Sequence, residues 1–225
     1  MISEGADGSV ESCRVYLVDD HPMVLEWLTH LIGQQADFSV CGASAQADVA
    51  VVAIERLQPD VVILDVNLPG SCGLRLIKEI RRRSPATAVL VFSMYEEELY
   101  GERALRAGAV GYVMKRQATR YLMAALRSVA RGEHYVSEAF KGRLVEQMVH
   151  REGGATDVSR FSDRELEVYR MLGQGYTTRG IAQVLGISIK TVQVHCSRMK
   201  RKMAVSSGSQ LVRQAILWWE SQQQG

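Results

Sequence analysis

The chain has 225 residues, 47% of them hydrophobic, with 27 Lys/Arg against 25 Asp/Glu. That length suits two domains, and the apolar content is ample for packed cores, which excludes a disordered or fibrous chain. The longest apolar runs, such as Val49–Ile54, are too short to cross a bilayer.

The small net charge of +2 hides an uneven distribution. Residues 151–225 carry 11 Lys/Arg and 6 Asp/Glu, whereas residues 1–150 carry 16 and 19. From Val168 to Trp219 there are eight Lys/Arg and no acid. A sign change between halves points to a nucleic-acid-binding C-terminal part. Cys13, Cys41, Cys72 and Cys196 are scattered, without metal-ligand spacing, and read as reduced thiols. Residues 1–12 lack the basic and apolar regions of a signal peptide, so the expected location is cytoplasmic, with no membrane partner.

Strand and helix patterns alternate five times. Arg14–Val18 reads as a first strand, ending in Asp19 and Asp20. Pro22 opens a helix with Val24, Leu25, Leu28, Leu31 and Ile32 on one face. Phe38–Ala43 is a second strand, Ala47–Leu57 a second helix and Val61–Asp65 a third, fully apolar strand. Pro69 and Gly70 turn the chain before a third helix begins near Gly73, lined by Leu74, Ile77 and Ile80. Thr87–Phe92, Glu97–Ala107, Val110–Val113 and Thr119–Arg131 complete the alternation. The pattern predicts a doubly wound, five-stranded parallel α/β sheet.

Ligand chemistry in such sheets gathers beyond the carboxyl ends of the strands. Asp19, Asp20, Asp65, Ser93 and Lys115 all fall there. Taken singly, Asp65 reads as readily as a turn cap. Together, three crowded carboxylates call for a hard divalent cation, and an all-oxygen set suits Mg²⁺. A lysine and a hydroxyl complement a phosphoryl oxygen. The chemistry suggested is phosphoryl transfer, with Asp65 as nucleophile and Lys115 as a fixed cation.

Over roughly residues 12–132 this pattern resembles the receiver domain of two-component response regulators, which implies a flavodoxin-like fold. The resemblance makes Asp65 the phosphoacceptor. It assigns Mg²⁺ to Asp19, Asp20, Asp65 and the backbone carbonyl of Asn67, with Pro69 and Gly73 in the same loop. Ser93 matches the switch hydroxyl, Lys115 the lysine and Tyr112 the aromatic that turns inward on phosphorylation. A sensor histidine kinase is the implied phosphodonor.

Residues 133–160 read as a connection containing one helix, Glu138–His150, and a polar, glycine-containing stretch, 151–159. Ser162 and Glu165 form a capping-box pattern at the start of the second domain, 161–225. One helix runs to the break at Gly173–Gly175, another starts near Thr178, and Gly186 turns the chain into a third near Ser188. This is a helix-turn-helix pattern. The small Ala182 and apolar Val192 suit close helix crossing. On the third helix, Val192, Cys196, Met199 and Met203 share the apolar face. The outer face holds Lys190, Gln193, Val194, Ser197, Arg198 and Arg201, with Thr191 in the first turn. Those residues suit phosphates and base edges in a major groove. His195 lies at the edge of the buried face and reads as a packing residue. Leu211–Trp219 is a last apolar helix, whose Trp218 and Trp219 either close the small core or meet a second subunit.

This half resembles the LuxR-type DNA-binding domain, through Phe161–Val168, Gly175–Ala182 and Ile187–His195. The whole chain then looks like a response regulator of the NarL/FixJ type. The implied function is phosphorylation-controlled DNA binding, with double-stranded DNA as partner and a homodimer on phosphorylation. Gln193, Ser197, Gly180 and Gly208 depart from frequent family residues, so no target sequence is carried over. One competing reading is a receiver-like module switched by protein contact alone. Another is a phosphoaspartate phosphatase, which needs a general acid where this chain has Asn67. No enzymatic role is expected.

Overall fold

The computed structural model describes residues 12–68, 73–149 and 157–224. Five strands and five helices alternate first: β1 (Cys13–Val18), α1 (Pro22–Gly33), β2 (Phe38–Ser44), α2 (Ala47–Leu57), β3 (Val61–Leu64), α3 (Gly73–Arg83), β4 (Ala88–Ser93), α4 (Glu97–Ala107), β5 (Gly111–Met114) and α5 (Ala118–Ala130). All pairings are parallel and the strand order is β2-β1-β3-β4-β5. The expected doubly wound sheet is present, and its order reverses between β1 and β3.

Successive side chains of a strand point to opposite faces, and both faces here are covered. Val15, Leu17, Val61 and Ile63 pack with Leu28 and Ile32 of α1 and Leu122, Leu126 and Val129 of α5. Tyr16, Val18, Val62 and Leu64 pack on the other face with Ile54 of α2, Ile77 and Ile80 of α3 and Ala104 of α4. Each fully buried aliphatic side chain contributes about 1.5–3 kcal/mol relative to exposure.

Element ends shift slightly from the sequence reading. Asp65 lies just past β3 rather than within it, and β5 starts at Gly111 rather than Val110. A 3₁₀ turn, Lys115–Gln117, was not anticipated and leads into α5. The segment expected to begin a linker is packed on the sheet domain. Tyr135 bonds across β5 through Tyr135 N to Val110 O and Tyr112 N to Tyr135 O. Helix α6 (Glu138–Val149) lays Phe140 against Gly101 of α4, and Glu97 accepts the Ser137 N–H at 2.9 Å. Residues 150–156, and the predicted turn residues Pro69 and Gly70 with Cys72, lie outside the described residues.

The C-terminal part is all helical: α7 (Asp163–Gly173), α8 (Thr178–Val184), α9 (Ile189–Lys202) and α10 (Gly208–Gln224), which is longer than expected at both ends. The predicted capping box forms. Ser162 Oγ accepts the Glu165 N–H and the Glu165 carboxylate accepts the Ser162 N–H at 2.8 Å. Thr177 and Ser188 cap α8 and α9. Gly186 turns between these two helices with φ +61°, where a side chain would be strained. Tyr169, Ile181, Ala182, Val192, Met199, Leu211 and Ala215 form the small core. Among the described residues no helix is long and apolar enough to cross a membrane.

Candidate phosphorylation site and nucleic-acid interface

The ends of β1 and β3, at the point where the strand order reverses, bring Asp19, Asp20 and Asp65 together. Ligand atoms of these three, with His21, all lie within 4.8 Å of one another. Asp19 and Asp65 are buried at 1% and 2% exposure. The Asn67 N–H donates to Asp65 Oδ1 at 2.9 Å, and the Lys115 ammonium donates to Asp65 Oδ2 at 2.6 Å. Lys115 also sits 2.6 Å from Asp19 Oδ2. Both oxygens of Asp65 are thus held, and the carboxylate has a fixed orientation.

The charges do not balance. One buried ammonium serves two buried carboxylates, with Asp20 beside them. Burial raises the Asp65 carboxyl above its ordinary value, and Asp19 adds to that effect. Lys115 and the Asn67 N–H oppose it without cancelling it. Burial works against the Lys115 charge, but Asp65 and Asp19 outweigh it and push its pKa up. Asp19 Oδ2 and Asp20 Oδ1 are buried yet accept no aligned hydrogen bond from the described residues. Oxygen donors and surplus negative charge fit a hard divalent cation such as Mg²⁺.

His21 was missed in the sequence. Its Nδ1 lies 3.1 Å from Asp19 and 2.9 Å from Asp20, at the open side of the cluster. The signal was available, since a ligand-type residue directly follows the acid pair.

Ser93 ends β4, fully buried, and its Oγ accepts the Tyr95 N–H at 3.2 Å. The Tyr112 ring is inside, at 1% exposure, and its hydroxyl donates to the Tyr95 carbonyl at 2.9 Å. Gly73 is required by close approach: a Cβ there would stand 2.3–2.8 Å from backbone atoms of Val66.

The second site is the outer face of α9. Lys190, Thr191, Gln193, Val194, Ser197, Arg198 and Arg201 are all exposed, whereas Val192 and Met199 are fully buried. Six of them, Thr191 excepted, line one open trough. Thr191 instead pairs its hydroxyl with Ser188 Oγ at 2.8 Å, fixing the first turn. His195 is half-buried, and burial lowers its pKa, as expected for a packed imidazole.

The two parts of the chain touch beside the phosphorylation site. Arg170 of α7 donates to the Asn67 side-chain oxygen and the Tyr95 hydroxyl. Tyr95 stacks on Tyr100 at 4.6 Å and meets the edge of Trp219 at 6.4 Å. Trp218 packs on Tyr169 within the small core. The two tryptophans therefore divide their roles, and Trp219 faces the sheet domain, an arrangement the sequence reading did not include. Nothing in the sequence marks Arg170, which lies 103 residues from Asn67.

Comparison with known proteins matches both domains. Residues 15–127 match the response regulator receiver domain, and residues 159–215 match the LuxR family of bacterial regulatory proteins. The nitrate/nitrite response regulator NarL of Escherichia coli K12 is 33% identical, over 88% of this chain and 92% of its own. The transcriptional activator ExaE of Pseudomonas putida is 36% identical, over 90% and 95%. RcsB of Salmonella enterica, solved on promoter DNA with the phosphomimetic BeF₃⁻, superposes with a TM-score of 0.69 at 27% identity, covering 91% of this chain and 98% of RcsB. The chain belongs to the two-component response regulators of the NarL/FixJ type, a receiver domain followed by a LuxR-type helix-turn-helix domain.

Proposed function

We propose that Asp65 is the phosphoacceptor of this regulator and that its phosphorylation governs DNA binding by α9. The chain is a phosphorylation-controlled DNA-binding regulator of transcription, and its partners are a sensor histidine kinase and double-stranded DNA. We assign residues 1–132 to the receiver, 133–160 to the connection and 161–225 to the DNA-binding domain. No catalytic role on an external substrate is assigned.

The observation that carries this reading is the held Asp65 carboxylate, one buried lysine short of neutrality. In the proposed transfer a carboxylate oxygen of Asp65 forms a bond to phosphorus. The donor's P–N bond breaks, and its electron pair stays on the departing imidazole. Mg²⁺, held by Asp19, Asp20, Asp65 and the Asn67 carbonyl, would neutralise charge on the phosphoryl oxygens. Lys115 leaves its place between the two aspartates to pair with the phosphoryl group, and the Ser93 hydroxyl donates to it. Hydrolysis of the acyl phosphate resets the site.

On the DNA side, Lys190, Arg198 and Arg201 serve phosphates, while Gln193, Val194 and Ser197 face base edges. RcsB has been solved as dimers on DNA, and we read a homodimer on phosphorylation here as well. The exposed outer face of α9 favours restraint by prevented dimerisation over a covered recognition helix.

Intact-mass measurement after incubation with phosphoramidate and Mg²⁺ tests the first step. One added phosphoryl group is expected, absent from Asp65→Asn and absent without the cation. No gain in the wild-type chain favours the competing reading, a switch worked by protein contact.

A further inference from the structure

Resting on Asp65 as phosphoacceptor, we propose that Arg170, contributed by the DNA-binding domain, is a positioning residue of the receiver's phosphorylation site. It holds the two loops that flank Asp65, so that domain docking and phosphorylation oppose each other.

The guanidinium grips Asn67, in the loop after β3, and Tyr95, in the loop after β4. These two residues also hold the reacting groups through their backbones. The Asn67 N–H donates to Asp65, and the Tyr95 N–H donates to Ser93. A move of the Ser93 hydroxyl toward a phosphoryl group on Asp65 therefore gives up the Tyr95 N–H. The Tyr95 ring is fixed on three sides: Arg170 lies 5.6 Å from its centroid, Tyr100 stacks on it and Trp219 meets it edge-on.

The contact is also close. Between the domains lies a crevice of about 20 Å³, lined in part by Val66, Gly73, Tyr95, Glu167 and Arg170. It has room for about one water. At its rim Asp163 of α7 pairs with Lys78 at 3.3 Å and Arg103 at 3.2 Å. These exposed pairs orient the domains and contribute little energy. Arg170 is half-buried in the contact, and one of its guanidinium nitrogens reaches both acceptors. Any group that favours the undocked form must itself be favoured by undocking, by the same factor.

The test uses the full chain. Beryllofluoride affinity in Mg²⁺ and the phosphorylation rate with phosphoramidate are measured for wild type, Arg170→Met, Tyr95→Phe and the double variant. Tyr95→Phe keeps the ring stack and removes only the hydroxyl that Arg170 grips. Beryllofluoride affinity is expected to rise about 5- to 150-fold in Arg170→Met. The double variant should gain no more than the larger single one, because both remove the same contact. Small-angle scattering should show wild type expanding on beryllofluoride binding and Arg170→Met expanded already. Unchanged affinity in Arg170→Met, or gains that simply add, overturns the proposal. If Arg170→Met loses its helical circular dichroism, unchanged affinity in Tyr95→Phe overturns it alone. A wild-type chain that takes neither beryllofluoride nor phosphoryl overturns the assignment of Asp65 instead.

Discussion

The Lys115 ammonium lies 2.6 Å from Asp65, and the same nitrogen lies 2.6 Å from Asp19. It bridges two of the carboxylates proposed to hold Mg²⁺, so lysine and cation would compete for them. Breaking a buried ion pair from one side leaves an uncompensated charge, at a cost of about 3–5 kcal/mol. Lys115→Met should therefore lower the thermal midpoint of the receiver without divalent cation. It should bind Mg²⁺ more tightly than wild type and recover most of its stability on binding. Thermal melts across a Mg²⁺ titration check this. Equal Mg²⁺-induced shifts in both proteins would contradict the competition.

Both domains were legible in the sequence because their signals are local. Val61–Leu64 is apolar on both faces, which only a covered parallel strand explains, and Ser162 with Glu165 writes its cap in four residues. The strand-end rule then gathers Asp19, Asp65, Ser93 and Lys115 without any coordinates. The contact of Arg170 with Asn67 was not legible. It depends on how two domains meet, and an arginine on an exposed-looking helix face carries no periodic signal. Tyr112 was half legible: its place behind Ser93 follows from the strand, whereas its inward rotamer depends on the Tyr95 carbonyl as acceptor.

Helices α7 and α10 cross with backbone nearly in contact at Gly173. A Cβ there would stand 2.5 Å from the Ala215 carbonyl oxygen and 2.8 Å from Trp219 Cβ. Neither neighbour is the end of a flexible side chain, so the helices must separate. Gly173→Ala should destabilise the DNA-binding domain by about 1–3 kcal/mol, the usual cost of overpacking. A lower urea midpoint with an unchanged slope is the expected result. A midpoint within error of wild type would show that the crossing has slack.

Glu165 gives that domain an acid-side dependence. Burial alone would raise its carboxyl, but the Lys202 ammonium at 2.6 Å and the Ser162 N–H outweigh it and hold it below its ordinary value of 4.5. A lowered folded-state value means that the unfolded chain binds more protons. The stabilisation is full above pH 4.5 and is lost as pH falls through the folded value. Glu165→Gln should be less stable at pH 7 and should flatten the loss of stability below pH 4.5. Ser162→Ala should cost about 1 kcal/mol by removing the other half of the cap. Urea denaturation of each variant at a series of pH values reads both effects, and an acid slope unchanged in Glu165→Gln would place the dependence elsewhere.

The DNA contacts proposed for α9 are of two kinds, and they should fail differently. Lys190, Arg198 and Arg201 line the trough with long cations, which in the proposed complex neutralise phosphates whatever the sequence. Each Ala substitution among them should weaken binding to specific and random duplexes alike. Each should also lower the slope of log affinity against log salt by about 1. Gln193 carries no charge, and its amide can bond adenine through two hydrogen bonds, a contact that gives about 1–3 kcal/mol of discrimination. Gln193→Ala should leave the salt slope unchanged and relax preference at one position of the half-site. Fluorescence anisotropy on a randomised duplex pool at several salt concentrations separates the two behaviours. A Gln193→Ala protein with unchanged sequence preference would remove that residue from base reading. An unchanged salt slope in Arg198→Ala would mean that this cation does not reach a phosphate when the domain is seated.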